Sequence, residues 1–126
     1  MGMTFIEVPD APKPGGHYSQ AVVANGFVFV SGQLPFDADG AMPEGIEDQA
    51  RLVLSHVAAI LNGAGSGLDQ VVSATVFVSD IAHWPVANKV WAEVFGAHRP
   101  ARAIAVSPEL HYGAKIEVTV TALAAT

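Results

Sequence analysis

The sequence predicts an α+β domain in which one mixed sheet carries two helices on a single face, in the order β-β-α-β-α-β-β. Two segments with apolar residues at helical spacing, several β-branched runs and the Asn25-Gly26 pair predict these elements. Because helices would connect some of the strands, part of the sheet should be parallel. No internal repeat or linker-like change of composition interrupts the chain, so residues 1–126 are expected to form a single domain.

The N-terminal part of the chain predicts strands. Residues 4–8 (TFIEV) suit a first strand, and a loop rich in proline and glycine follows them. Residues 19–32 (SQAVVANGFVFVSG) contain two β-rich runs around Asn25 and Gly26. An Asn-Gly pair between such runs is the strongest short signal of a β-hairpin, so we expect one here.

The first helix is predicted at residues 46–61, where apolar side chains recur at steps of three and four and therefore share one face. The acidic residues Glu44, Glu47 and Asp48 suit the positive N-terminal end of its dipole. Residues 62–67 (NGAGSG) follow the helix, and their glycines indicate its C-terminal end. A phosphate-binding loop would instead precede the N-terminus of a helix.

The second half of the chain predicts three strands and another helix. Residues 71–79 (VVSATVFVS) are typical of a buried strand. Pro85 suits the first turn of the second helix, and Gly96 is a natural end for it. Residues 101–106 (ARAIAV) and 115–123 (KIEVTVTAL) predict the last two strands.

Composition excludes several classes of function. Apolar residues make up 51% of the chain and charged residues only 14%, which favours a buried subunit interface. The chain has no cysteine, so disulfides, thiolate catalysis and Cys-type metal sites are excluded. A net charge of −6 with only six Lys and Arg argues against a nucleic-acid partner. No long apolar run or signal-like start is present, so we expect a soluble cytoplasmic protein with no membrane partner.

Arg102 is the residue that most strongly suggests a binding site. In an alternating strand it shares a face with Ile104 and Val106, whereas alanines 101, 103 and 105 form the other face, which we expect beneath the helices. A guanidinium among apolar neighbours needs an acidic partner. That partner is either a carboxylate of the protein or the carboxylate of a ligand, and the residues leave both alternatives open.

Glu117 lies on the polar face of the last predicted strand, together with Lys115, Thr119 and Thr121. This face is either an ordinary solvated surface or one wall of a cleft shared with Arg102. In the second case, Glu117 could orient or deprotonate a water molecule.

Other residue types carry weaker signals. Trp84 and Trp91 are interpreted as core or interface aromatics rather than stacking platforms, because no basic residues alternate with them. No G-x-S-x-G turn presents a nucleophilic serine. The histidines lack the spacing of metal ligands, so no metal site is expected; they are His17, His56, His83, His98 and His111.

Five short motifs follow one another along the chain. They are residues 16–20 (GHYSQ), 30–35 (VSGQLP), 75–80 (TVFVSD), 99–102 (RPAR) and 115–118 (KIEV). Together with Asn88 in the second helix, they resemble the motifs of the Rid family of reactive-intermediate deaminases, also called YjgF-like proteins. The resemblance covers nearly the whole chain.

The resemblance implies a chorismate-mutase-like fold that assembles as a homotrimer, with active sites in the clefts between subunits. It also implies hydrolysis of 2-imino acids, such as 2-iminopropanoate formed from 2-aminoacrylate, to 2-oxo acids and ammonia without a cofactor. Carried over to this chain, Arg102 would bind the substrate carboxylate and Glu117 would position the attacking water. The pocket would be lined by His17, Tyr18, Ser31, Gly32, Asn88 and the backbone at Ile104.

Two departures from the family motifs leave the substrate open. His17 replaces a proline and could add a polar group at the mouth of the pocket, and Ile104 replaces a cysteine, so only its backbone could contribute. A larger enamine such as 2-aminomuconate is therefore an alternative substrate. A non-catalytic module that binds a 2-oxo acid or amino acid through Arg102, or a protein-interaction role for the apolar surface, are alternative functions.

Overall fold

The computed structural model describes residues 2–125; Met1 and Thr126, the end residues of the predicted domain, lie outside the described residues. Two α-helices pack on one face of a mixed sheet of six strands, which confirms the predicted fold class. The strands are β1 (Thr4–Ile6), β2 (Ala21–Ala24), β3 (Phe27–Gln33), β4 (Val71–Val78), β5 (Ala101–Val106) and β6 (Ile116–Leu123), and the helices are α1 (Ile46–Gly63) and α2 (Trp84–Phe95).

The strand order across the sheet is β1-β2-β3-β6-β4-β5. The first strand predicted at residues 4–8 is present as the shorter β1, which pairs with β2 at the edge of the sheet, although the predicted order β-β-α-β-α-β-β does not count it. β4 and β5 are parallel and joined by α2, as expected for a helical crossover, whereas the other neighbours are antiparallel. The last strand, β6, therefore lies between β3 and β4 in the middle of the sheet.

Turn residues fix the ends of the elements. Asn25 and Gly26 both have positive φ, 52° and 85°, and connect β2 to β3 as the predicted hairpin. Gly65, with φ of 75°, follows α1, and Gly96, with φ of 62°, ends α2. Helix α1 extends two residues beyond its predicted end, and β4 and β6 are each one residue shorter than predicted.

The core lies between the sheet and the two helices. Val53, Val57 and Ile60 of α1 are fully buried, as are Val76 of β4 and Val118 of β6. Each such side chain contributes roughly 1.5–3 kcal/mol to stability through burial. Because α1 contacts β3 and β6, this packing fixes the central strands that carry candidate site residues.

The other face of the sheet carries polar and apolar side chains that the helices do not cover. Thr119 and Thr121 of β6 are half-buried there, whereas Phe5 and Phe29 are 67% and 47% exposed. We call this surface the open face. Within the described part of the chain, no helix has the length and hydrophobicity needed to cross a bilayer.

Candidate functional site

Arg102 lies on the helix-covered face of the sheet. In the parallel pairing of β5 with β4, Arg102 is the partner of Ala74 and Ile104 is the partner of Val76, and both β4 residues are buried against the helices. The expectation that the alanines of β5 lie beneath the helices is therefore wrong. Strand alternation defines two faces but not which one is covered, and here the alanines at 101, 103 and 105 lie on the open face.

Two indoles and one amide surround the guanidinium of Arg102. Its Cζ lies over both rings, 4.6 Å from the Trp84 centroid and 5.3 Å from the Trp91 centroid. Its Nη1 donates a hydrogen bond to Asn88 Oδ1 at 3.1 Å. Partial burial lowers the pKa of Arg102, although a guanidinium stays protonated at neutral pH.

No internal carboxylate neutralises Arg102 within residues 2–125. Both ion pairs found in this range belong to Arg51, which contacts Glu47 and Glu93 on the surface. Of the two alternatives left by the sequence, an acidic partner from the same chain is thus excluded for the described residues. The guanidinium retains donors for a ligand carboxylate.

The tryptophans have a role that the sequence did not predict. Trp91 is buried and stacks on Phe95 at 4.5 Å, which agrees with its interpretation as a core aromatic. Both Trp84 and Trp91, however, also serve as a platform for Arg102 through cation–π contacts. The basic residue comes from β5 rather than from α2, so no pattern within the helix could have revealed it.

Arg102 lines an open cleft of about 500 Å³ at the edge of the sheet. We call it the arginine cleft. Other residues that line it include Asn88, Trp91, His98 and Arg99. A small carboxylate can enter this cleft and meet a cation held in place by aromatic rings and an amide.

Glu117 lies on the opposite face. It pairs with Phe77 across β6 and β4, while its neighbour Val118 points into the core. Glu117 is therefore on the open face, and the predicted cleft that holds both Arg102 and Glu117 on one face of one chain is not present. The sequence predicts which residues share a face in β6. It does not predict which face of β5 packs against the helices.

The carboxylate of Glu117 packs directly against the backbone of Gly32. A Cβ atom added at Gly32 would overlap Glu117 Oε2, so only glycine allows this approach. Burial raises the pKa of Glu117, and the nearby His111 opposes that shift. A half-buried carboxylate with a raised pKa suits proton transfer near neutral pH.

Gly32 also lines a second open cleft, of about 600 Å³. Tyr18, Phe36, His111 and Tyr112 also line it, and we call it the aromatic cleft. Of the predicted site residues, the structure thus brings Tyr18, Gly32 and Glu117 into one region. Asn88 and Arg102 meet in the arginine cleft instead.

Buried polar contacts hold the loop that carries Tyr18. Gln20 Oε1 accepts a hydrogen bond from Val8 N–H at 2.7 Å, and Gln20 Nε2 donates to backbone carbonyls of the same N-terminal segment. Ser31 Oγ donates to the carbonyl of Ser19 at 2.6 Å, and Ser31 N–H donates to that of Gln20 at 2.9 Å. Ser31 therefore ties the loop to β3, and its hydroxyl proton is already used.

The other two predicted site residues, His17 and Ile104, are not among the residues that line either cleft. His17 is exposed and stands between Gly16 and Tyr18, which both line the aromatic cleft. The half-buried side chain of Ile104 packs against the core, so only its backbone can serve a ligand. His56 Nε2 and His98 Nε2 are bonded to the carbonyls of Phe36 and Val71, at 2.6 Å and 2.7 Å, and are structural.

The sequence did not identify Phe36, His111 and Tyr112 as site residues. The histidine spacings only argue against a metal role for His111, and the segment 107–114 has no periodicity that predicts an element. In the structure, residues 111–113 form a tight turn in which Tyr112 departs from helical φ and ψ, and His111 and Tyr112 line the aromatic cleft. Among residues 2–125, no group of three or more His, Asp and Glu is arranged to hold a metal ion.

Known proteins resemble this chain over almost its full length. Residues 8–124 match the family described as Endoribonuclease L-PSP. A RutC family protein of Pyrococcus horikoshii is 45% identical over 105 residues, which cover 81% of this chain and 83% of that protein. The solved structure of YyfA from Yersinia pestis, of the Rid protein family, is 36% identical with a TM-score of 0.93, and covers 97% of this chain and 99% of that one.

The structure of E. coli TdcF with bound serine is 32% identical to this chain, has a TM-score of 0.93, and covers 97% of this chain and 99% of that one. These matches confirm the resemblance first carried by the five motifs. The chain belongs to the Endoribonuclease L-PSP family, the family of the RutC and Rid proteins.

Proposed function

We propose that this protein hydrolyses reactive 2-imino acids, and the 2-amino-enoic acids from which they form, to 2-oxo acids and ammonia. The observation that carries this proposal is the state of Arg102. Its guanidinium lies over two indoles, contacts an amide rather than a carboxylate, and lines an open cleft. A cation held in this way is suited to a ligand with a carboxylate group.

Arg102 would bind the substrate carboxylate with the donors that Asn88 leaves unused. Asn88 and the tryptophans restrict the rotation of the guanidinium, so less conformational entropy is lost on binding. Serine, the molecule bound to E. coli TdcF, carries the same α-carboxylate, which supports a ligand of this class.

Glu117 would act as the base that prepares water for attack. The water oxygen adds to the imine carbon as Glu117 accepts one of its protons. Glu117 then returns this proton to the nitrogen, which gives a tetrahedral intermediate with one hydroxyl and one amino group. The hydroxyl proton passes through Glu117 to the amino group as the C–N bond breaks, so the nitrogen leaves as ammonia and the oxygen becomes the carbonyl of the 2-oxo acid. The scheme needs no cofactor, because an imine carbon is already electrophilic and requires mainly orientation and a delivered water.

The other predicted residues would support these two groups. Tyr18 and Gly32 would border the reacting atoms, since both line the cleft next to Glu117. Ser31 would hold the loop that carries Tyr18, and Asn88 would orient Arg102. The backbone groups at Ile104, two residues after Arg102, would help to hold the imine and the water.

We further propose that the active site forms between subunits of a homotrimer. Arg102 and Glu117 occupy opposite faces of one sheet, so a single small substrate needs Arg102 from one chain and Glu117 from another. Exposed Phe5, Phe29 and Leu123 on the open face favour its burial in an assembly.

The test generates 2-aminoacrylate in situ and follows 2-oxo acid formation with and without the protein. We expect a rate well above the buffer reaction. No acceleration for imines with either small or large side chains would refute the proposal. Saturable binding of pyruvate without any turnover would instead favour a binding module. Although the family description names an endoribonuclease, the net charge of −6 argues against RNA as the substrate.

A further inference from the structure

Tyr112 has an unusual conformation beside the aromatic cleft. Its φ and ψ of 61° and 21° lie in the left-handed region, which bulky residues seldom occupy. Its side chain is 75% exposed, so burial within the chain does little to offset this strain. Strained residues of this kind cluster at functional sites, and this one lines a cleft.

The aromatic cleft is larger than a three-carbon imino acid requires. Its volume of about 600 Å³ falls within the roughly 300–1,000 Å³ of sites that hold much larger small molecules. A substrate with a methyl side chain would leave most of this space to water.

The side chains of Tyr18, Phe36 and Tyr112 give this cleft three benzene-type rings. The rings of Phe36 and Tyr112 meet edge to face, with centroids 5.2 Å apart and an interplanar angle of 72°. Tyr18, which is 53% exposed, lines the same cleft, and Leu34 adds an aliphatic surface. Aryl groups pack favourably against such walls in edge-to-face or offset geometry.

Gly32 connects the aromatic cleft with Glu117. Gly32 lines the cleft and also touches the Glu117 carboxylate. A substrate whose imine carbon lies at Glu117 can therefore extend its side chain past Gly32 toward Phe36 and Tyr112. The charged residues of the cleft include Lys13 and Asp37, which are exposed and of opposite sign, so they do not favour a side chain of either charge.

We propose that the aromatic cleft is a side-chain pocket that selects 2-imino acids bearing an aryl group, with Tyr112 and Phe36 as its specificity-determining residues. This inference rests on the proposed function and names the substrate class of that same site.

The kinetic test compares imines generated in situ from phenylalanine and from alanine by an amino-acid oxidase. We expect kcat/KM for the phenylalanine-derived imine to be roughly tenfold higher. Tyr112→Asn removes the ring but tolerates the left-handed backbone, and it should abolish most of this preference. Tyr112→Phe keeps the ring and should retain it. Phe36→Leu keeps an apolar side chain but removes the ring, so it should also reduce the preference. This variant replaces Tyr112→Asn in the test if Tyr112→Asn fails to fold.

A binding measurement separates this inference from the proposed function. Calorimetry should show phenylpyruvate binding more tightly than pyruvate, with the difference lost in Tyr112→Asn. That result without turnover of any imine would support the pocket and refute only the deaminase activity. Equal binding of the two oxo acids, with equal hydrolysis of both imines, would overturn the pocket and leave the deaminase activity intact.

Discussion

Arg102 and Glu117 lie on opposite faces of the same sheet, on β5 and β6, with β4 between them. The first points toward the helices and the aromatic platform of α2, and the second points toward the open face beside Gly32. One small substrate cannot contact both groups of a single chain. The proposed reaction therefore requires Arg102 and Glu117 from two different chains, which leads to the first prediction.

Mixing two inactive variants should restore activity. Arg102→Ala retains Glu117, and Glu117→Ala retains Arg102, so a site between two different chains can contain both intact groups. After dissociation and random reassembly in equal amounts, we expect roughly a quarter of the wild-type activity, because each site draws one group from each of two subunits. Folded assemblies that exchange subunits without regaining activity would show that each site is built from one chain.

Arg102→Ala should reduce kcat/KM while leaving the fold intact. Loss of a desolvated Arg–carboxylate contact costs on the order of 2–5 kcal/mol, or roughly 30- to several-thousand-fold in rate. Arg102→Lys should recover only part of this loss, because an ammonium lacks the planar fork of donors. Arg51→Ala is the matched control, since Arg51 forms its ion pairs on the exposed surface of the helices. Equal losses in Arg102→Ala and Arg51→Ala would contradict a specific role.

The sequence could predict the parts of the site better than their arrangement. Asn25 set the hairpin, and alternation placed Glu117 on the polar face of its strand, because both signals are local. Alternation in β5 could not reveal which face the helices cover, since that depends on packing with α2. The aromatic cleft escaped prediction because Tyr112 lies in an irregular segment and meets Phe36 only through the tertiary fold.

Gly32→Ala should impair activity through Glu117. The added methyl group would overlap the carboxylate and push it from its position against β3. Displacement by about 1 Å can reduce catalysis on the order of 100-fold. Gly45→Ala provides the control, because Gly45 has an ordinary φ of −87° and open space around its Cβ position. Steady-state kinetics and thermal melts of both variants check the prediction, which would fail if Gly32→Ala retained full activity.

The acid limb of the pH–rate profile should report Glu117. Burial raises its pKa, so the base becomes available only at a higher pH than for an ordinary carboxylate. His111 acts in the opposite direction, so His111→Asn should move the acid limb of kcat/KM further toward neutral pH. If the acid limb of this variant is unchanged or moves to lower pH, His111 does not lower the pKa of Glu117. The same profile measured with Lys89→Asn, a substitution on the exposed surface of α2, controls for general charge effects.

Glu117→Gln should abolish activity but increase thermal stability at pH 7. The pKa of Glu117 is raised in the folded state, so folding favours its protonated form. This preference stabilises the fold at pH values below the unfolded pKa. The stabilisation is lost as the pH rises through the folded pKa. At neutral pH the native protein therefore holds a carboxylate that would be better solvated in the unfolded chain, and a neutral amide of the same shape removes that penalty. Melting curves of wild type and Glu117→Gln at pH 4 and pH 7 should show a gain in Tm at pH 7. The gain should shrink at pH 4, which lies below the ordinary pKa of a glutamate, so that Glu117 is mostly protonated in both states. A gain in Tm of the same size at both pH values would mean that the charge of Glu117 is not the cause. A loss of Tm at pH 7 would mean that the carboxylate stabilises the fold, and would contradict the idea that this catalytic group reduces stability.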